Sequence, residues 1–264
     1  MSTLTESILL SVEDGLARLT LNRPERLNAF DASMAAAWTR VVQDVVRRDD
    51  VGAVLLTGAG TSFCAGGDVA QMATTMSDGG EIAQLATTIN RGITALTASD
   101  KPVVAAIHGA TAGGGLGIML ATDYVVAGRS SRVGSRYANV GLTPDLSVTA
   151  HLARAVGERR ALQLVLSDLM LTADEALRWG LVAEVVDDDD VVTRAEQVAA
   201  VWLNGATKAY GRAKQLIRQS PFNSFDVQLE EEARAIGESF DTSEAKRRIA
   251  AFAEASSRKR GGTP

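Results

Sequence analysis

Cysteine is nearly absent: Cys64 is the single thiol in 264 residues. No internal disulfide is available, so the sequence reads as that of a protein kept in a reducing compartment, with the cytoplasm as the expected location. Positive charge is also short, with 27 Lys and Arg against 32 Asp and Glu, a formal charge of -5. That balance works against nucleic acid or an anionic membrane surface as a partner. No apolar run approaches the ~20 residues needed to span a bilayer. The longest candidate, Ile118 to Val126, is interrupted by Asp123. The N-terminal MSTLTESILLSVEDG has no basic region ahead of an apolar stretch, so it does not read as a signal peptide. Only two histidines occur, His108 and His151, and no His/Cys/Asp spacing suggests a metal site. No Walker Gly-Lys-Ser/Thr pattern, low-complexity segment or flexible linker is found.

What remains is a chain with enough apolar residues, 46%, to bury a full core. ILLSVEDGLARLTLNRP reads as two strands around the Asp14-Gly15 turn signal, ended by Pro24. FDASMAAAWTRVVQDVVRRDD reads as an amphipathic helix, with Met34, Trp38, Val41 and Val45 on one face and Asp31 as N-cap. VGAVLLTGAG, KPVVAAIHG and DYVVAG read as buried strands, with a helical stretch over about Ile82 to Leu96 and another from about Gly114 to Ala121. Continuous apolar strands alternating with helices indicate an α/β fold with largely parallel pairing. After Gly157 the pattern is mostly helical. The run Asp187 to Asp190 reads as a solvated loop.

The densest anomaly is HGATAGGGLGIML, in which Gly113 to Gly115 and Gly117 stand where a helix should begin. Glycine inside a helix costs roughly 0.5–1 kcal/mol relative to alanine, so the run needs a reason. A dinucleotide fingerprint fails, because Ile118 or Leu120 occupies the third glycine position. Two readings stay open. One is close backbone packing. The other is chemical: the first turn of a helix carries unpaired N–H groups and positive potential, a suitable place to hold a developing oxyanion. The loop TSFCAGGDV, Thr61 to Val69, follows another buried strand and is the candidate for the second donor.

Taken in order, NRPERLNAF, FCAGGDV, KPVVAAIHGATAGGGLGIMLATDY, VGLTPD and LTADEALRWGLVAEVV resemble the crotonase family, the enoyl-CoA hydratase/isomerases, over roughly residues 8 to 260. The resemblance implies a crotonase-like α/β spiral of ββα units over 1–200, carrying the acyl-CoA site. It implies a helical C-terminal trimerisation region over 201–264, assembled as homotrimers or dimers of trimers. The substrate is then an acyl-CoA thioester, with coenzyme A part of the substrate and no permanently bound cofactor. Gly67 and Gly114 match the two backbone N–H donors that stabilise the thioester enolate.

Hydration of a 2-enoyl thioester needs two carboxyl groups. By alignment of these motifs, the positions of the hydratase glutamates are occupied here by Gly117 and Tyr137. The carboxylate that remains is Asp145, in NVGLTPDLS, at the position where several aspartate-bearing isomerase branches keep a base. GLTPD resembles the epoxyphenylacetyl-CoA isomerase branch most. One carboxylate suffices to move a double bond through a dienolate, so the expected activity is enoyl-CoA isomerisation by Asp145. Asp145 also reads as a helix N-cap after Pro144. Tyr137 reads either as a partner of Asp145 or as a wall of the acyl pocket. The alternatives are a hydratase with atypical acids, dehalogenase-like acyl-CoA chemistry, and a non-catalytic acyl-CoA-binding protein. His108 and His151 read as structural, Asp68 as a loop brace, and Cys64 as buried.

For the nucleotide, the resemblance selects Arg26, Leu27, Ala29, Ala65, Asp68 and Val69, with Arg26 placed to meet a phosphate. It adds a C-terminal phenylalanine, matched by Phe252, and a lysine three residues later, where this chain has Ala255. The basic run Arg258 to Arg260 is out of register for that role.

Overall fold

A computed structural model describes the backbone of residues 6–261 and the side chains of residues 6–255. Strands β1 (Ile8–Glu13) and β2 (Leu16–Leu21) form the expected hairpin, with Asp14 and Gly15 both at positive φ. Helix α1 (Ala32–Arg47) follows, its N-cap Asp31 accepting from the Met34 N–H at 2.7 Å. Such a cap is worth about 1 kcal/mol. Met34, Ala35, Trp38, Val42 and Val45 form its buried face, so Val42 rather than the expected Val41 points fully inward. Next come β3 (Ala53–Gly58), α2 (Val69–Thr75), α3 (Gly79–Ala98) and β4 (Val103–Ile107). The helix expected over 82–96 thus begins three residues earlier, at an Asp78 cap that accepts from Gly80 and Glu81. The glycine run joins β5 (Ala110–Ala112) to α4 (Gly114–Leu120), followed by β6 (Tyr124–Gly128) and β7 (Arg132–Gly134).

The second half is mainly helical: α5 (Val148–Val156), α6 (Glu158–Val165), β8 (Met170–Thr172), α7 (Ala173–Trp179) and β9 (Glu184–Val186) precede α8 (Val191–Asn204). Helices α9 (Thr207–Gln219), α10 (Phe225–Phe240) and α11 (Ser243–Gly261) complete the chain. The aspartate run is a 3-10 turn over Asp188–Asp190 rather than a loop. It stays exposed because its carboxylates face outward, with Asp187 paired to Arg129 at 2.6 Å and Asp188 accepting from the Ser130 N–H.

The main sheet has the order β1-β2-β3-β4-β6-β9, parallel except for the first hairpin. A small sheet, β5-β7-β8, stands beside it. Both faces of the main sheet are covered, which is why β4 reads as an unbroken apolar run. Val103, Ala105 and Ile107 face the large core with α1, α3 and α4, whereas Val104 and Ala106 face a smaller core closed by α8. The expected division at residue 200 falls inside α8, whose Ala195, Val198 and Ala199 pack on the sheet.

Helix α9 is pinned by an ionic cluster around the buried Lys214. The Lys214 ammonium donates to the carbonyls of Leu96 and Lys101 and lies 3.0 Å from Asp123, which Arg218 also meets at 3.0 Å. Asp123 also accepts from the Val103 N–H at 2.9 Å, so the residue that interrupts the apolar run ties α9 to β4. No helix among the described residues is long and apolar enough to cross a membrane.

Candidate active site

A concave site of about 400 Å³ lies at the ends of β3 and β4. Of the expected site residues it brings together Ala65, Gly67, Val69, Gly114, Tyr137 and Asp145. These come from three segments of the sequence, residues 65–69, Gly114 and residues 137–145, and the first two are held by backbone pairing. The Phe30 N–H donates to the Gly66 carbonyl at 2.7 Å and the Asp68 N–H to the Phe30 carbonyl at 3.0 Å. Cys64 bridges to Thr111, so the Cys64–Asp68 loop lies alongside the glycine run.

The glycines divide between the two readings. Gly113 sits at φ +54, ψ -127, a conformation that side chains resist, and its N–H is taken by the Ser135 carbonyl. A Cβ on Gly115 would stand 2.1 Å from the Cys64 carbonyl oxygen, and one on Gly117 would stand 2.1 Å from the Leu146 carbonyl oxygen. Those two are packing glycines. Gly114 faces the cavity, and the Gly66 backbone approaches so closely that a Cβ there would lie 3.0 Å from the Gly114 nitrogen. Among the described residues, the N–H groups of Gly67 and Gly114 have no acceptor. Two unpaired backbone donors therefore open onto one cavity.

Asp145 does not cap α5. The cap position is Ser147, at φ +71, and its side chain bonds no N–H of the helix. The Asp145 carboxylate instead accepts a 2.5 Å hydrogen bond from the Tyr137 hydroxyl, within the range of O–H···O⁻ bonds. Among the described residues it bonds to no other side chain. Burial pushes Asp145 above the usual carboxylate range, and the Tyr137 bond pulls partly the other way. Tyr137, 8% exposed, is pushed well above the usual phenol value by burial and by the Asp145 charge, so it stays a neutral donor. The carboxylate is carried on a strained turn, with Leu146 at φ +46 and Ser147 at φ +71, and Arg136 across the cavity at φ +58. Such conformations cost of order 1–3 kcal/mol each and persist where surrounding packing enforces them. Here Leu146, 4% exposed, is that packing, lodged against Gly114 and Gly117.

Other expected site residues lie outside the cavity lining. Arg26 is exposed in a 3-10 turn, and Leu27, at φ +51, accepts the Ala65 N–H through its carbonyl. Ala29 is buried, its carbonyl taken by Arg23. Asp68 braces the loop: it caps α2 through the Gln71 N–H at 3.1 Å and pairs with Arg23 at 3.2 Å. Phe252 projects from α11, 77% exposed, away from the cavity lining. Arg258 to Arg260 have side chains outside those described. Burial pushes the Cys64 thiol up to about 12, which leaves it inert as a nucleophile. His108 bonds the Gly60 carbonyl at 2.9 Å. His151 lies 3.1 Å from the Ser147 hydroxyl; burial, with Arg218 and Arg154 nearby, lowers its pKa to about 4.

Sequence reasoning missed the apolar wall: Met72 from α2, Leu85 and Ile89 from α3, and Leu146. The four-residue spacing of Leu85 and Ile89 was a readable signal. Arg23, which also meets Asp31 at 3.1 Å, gave none.

Comparison with known proteins shows the family and the fold. The enoyl-CoA hydratase/isomerase profile matches residues 11–260. The 1,2-epoxyphenylacetyl-CoA isomerase of Escherichia coli K12 is 37% identical over 227 residues, covering 85% of this chain and 87% of its own. The short-chain-enoyl-CoA hydratase of Clostridium acetobutylicum is 34% identical, covering 94% and 95%. The solved enoyl-CoA hydratase of Polaromonas sp. JS666 superposes with a TM-score of 0.88 at 29% identity, covering 94% and 97%. The chain belongs to the enoyl-CoA hydratase/isomerase family and has the crotonase fold.

Proposed function

We propose that this enzyme isomerises an enoyl-CoA through one carboxylate, Asp145, with Gly67 and Gly114 as the oxyanion donors. The observation that carries the reading is the arrangement at position 117. A hydratase acid there has no room, because the Leu146 carbonyl occupies the place of a Cβ, while the same turn delivers the carboxylate of Asp145 to the cavity. In the proposed reaction, Asp145 takes a proton from the acyl carbon chain. The C–H electron pair passes into the thioester, whose oxygen becomes anionic between the two N–H groups. The same carboxyl returns the proton at the other end of the allylic system, so no water is added and no further cofactor enters. Each backbone donor aimed at such an oxyanion is worth roughly 10²–10³ in rate. The raised position of Asp145 makes it a stronger base than an exposed aspartate, provided it is ionised.

Coenzyme A is read against Arg26, Leu27, Ala29 and Ala65, at the Asp68–Val69 side of the mouth, with Phe252 contributed from a neighbouring copy. Phe225, Ile236, Phe240 and Phe252, all more than half exposed on α10 and α11, support self-association as trimers or trimer pairs.

The test is mass spectrometry of 2-enoyl-, 3-enoyl- and ring-bearing acyl-CoAs incubated in deuterated water. Double-bond migration or deuterium uptake without net water is expected, reduced about 10²–10⁴-fold in Asp145→Asn. Net hydration that survives this substitution would overturn the reading. Binding without exchange on any substrate would make the protein an acyl-CoA binder instead.

A further inference from the structure

Two cavities meet at one side chain. Leu85, 8% exposed on α3, lines the site cavity together with Gly67, Gly114 and Asp145. It also lines a second, more open groove of about 470 Å³ bounded by Ala32 and Ala35 of α1, the end of α2, and Gln84 and Thr88. The site side of this partition is apolar, formed by Phe30, Met72, Ile89 and Leu146.

The partition is rigid on one side. Helix α3 is bolted to α1: the Trp38 indole donates to the Ile89 carbonyl at 3.2 Å, and the Thr39 hydroxyl to the Thr88 carbonyl at 2.5 Å. Gly92 permits the crossing, since a Cβ there would stand 2.3 Å from the Trp38 nitrogen. Leu85 lies one turn before Ile89, on the part of α3 held by these bonds. Helix α2, by contrast, has no buried residue, so α3 fixes the depth of the cavity.

We infer that Leu85 is the end wall of the acyl site and sets the longest acyl chain the enzyme accepts. The inference rests on the acyl-CoA reading of this cavity but not on the isomerase chemistry. The substrate class that follows is an apolar acyl-CoA whose distal end stops at Leu85. Removing the wall would let longer chains run on into the groove along α1.

The experiment uses saturated straight-chain acyl-CoAs, butanoyl to hexadecanoyl, titrated calorimetrically into the full-length protein. These ligands have no double bond to migrate, so the result is independent of whether Asp145 acts as the base. Affinity should rise up to about fourfold per methylene and then stop rising at a defined length. In Leu85→Ala the rise should continue by at least two further carbons. In Leu85→Phe it should stop earlier. Adding Ala32→Trp, on the exposed side of the groove, to Leu85→Ala should restore the wild-type limit. Melting curves recorded beside each titration confirm that the variants are folded. A wild-type series with no break, or a break at the same length in both Leu85 variants, would overturn the inference.

Discussion

A methyl group at position 117 should damage the enzyme through the backbone it meets, not through the helix it joins. Alanine is favoured over glycine inside a helix by about 0.8–1 kcal/mol, so on propensity alone Gly117→Ala would stabilise α4. The new Cβ, however, would stand 2.1 Å from the Leu146 carbonyl oxygen and 2.9 Å from its carbonyl carbon. Carbon–oxygen contacts settle near 3.3 Å, so the 145–147 turn must retreat by about 1 Å. Overpacking of this kind costs about 1–3 kcal/mol, leaving a net loss of up to about 2 kcal/mol and a melting temperature lower by a few degrees. The larger effect falls on chemistry. A displacement of about 1 Å in a catalytic group costs on the order of 10²-fold in rate, and Asp145 is attached to the turn that must move. Deuterium exchange into an enoyl-CoA, followed with a melting curve on the same preparation, measures both effects. Wild-type exchange and stability in Gly117→Ala would refute the argument. So would net hydration by Gly117→Glu, because it would show that the site accommodates the acid its backbone excludes.

Two further outcomes follow from the Asp145–Tyr137 pair. The Tyr137 hydroxyl favours the ionised form of Asp145, so Tyr137→Phe should shift the acid limb of the pH–rate profile to higher pH, with a smaller change on the plateau; an unmoved limb would place the tyrosine in the wall only. Because the folded carboxyl lies above its unfolded value, its contribution to stability is present below the usual aspartate range and is lost as pH rises through the folded value. Asp145→Asn keeps an acceptor for Tyr137 and removes that charge. Its melting temperature should exceed wild type at neutral pH, and the gap should close as the pH falls below the aspartate range. A lower melting temperature at neutral pH would contradict the burial argument.

Much of the fold was legible because it rests on periodicity. The apolar runs of β3, β4 and β6, the Asp31 cap and the Asp14-Gly15 turn each follow from a local rule, and each recurs in the structure. The small sheet was not legible: β5, β7 and β8 are three residues each, too short for a repeating pattern, and exist only through pairing with one another. Asp145, Tyr137, Gly67 and Gly114 were singled out through motif order, and all four line the one cavity. Leu146 was not, because its role depends on two successive left-handed residues without glycine, a conformation that its sequence disfavours and that only tertiary packing enforces. Asp145 as a helix cap failed for the same reason: the turn enters α5 at Ser147 and leaves the carboxylate on the cavity side.

Gly117 and Tyr137, the two positions expected to depart from the hydratase pattern, are linked by that turn. The Leu146 carbonyl fills the space beside Gly117, and the residue before it places its carboxylate 2.5 Å from the Tyr137 hydroxyl. Restoring a glutamate at 117 would therefore dislodge Asp145. Restoring one at 137 would set two carboxyl groups side by side in a largely buried site, where one must take up a proton because like charges at that range are not both ionised. The phenol at 137 favours the charged form of Asp145, against the burial that opposes it: it donates a hydrogen bond without bringing a charge of its own. Positions 117 and 137 are thus coupled through the one turn at residues 145–147, and a change at either is felt by the Asp145 carboxylate.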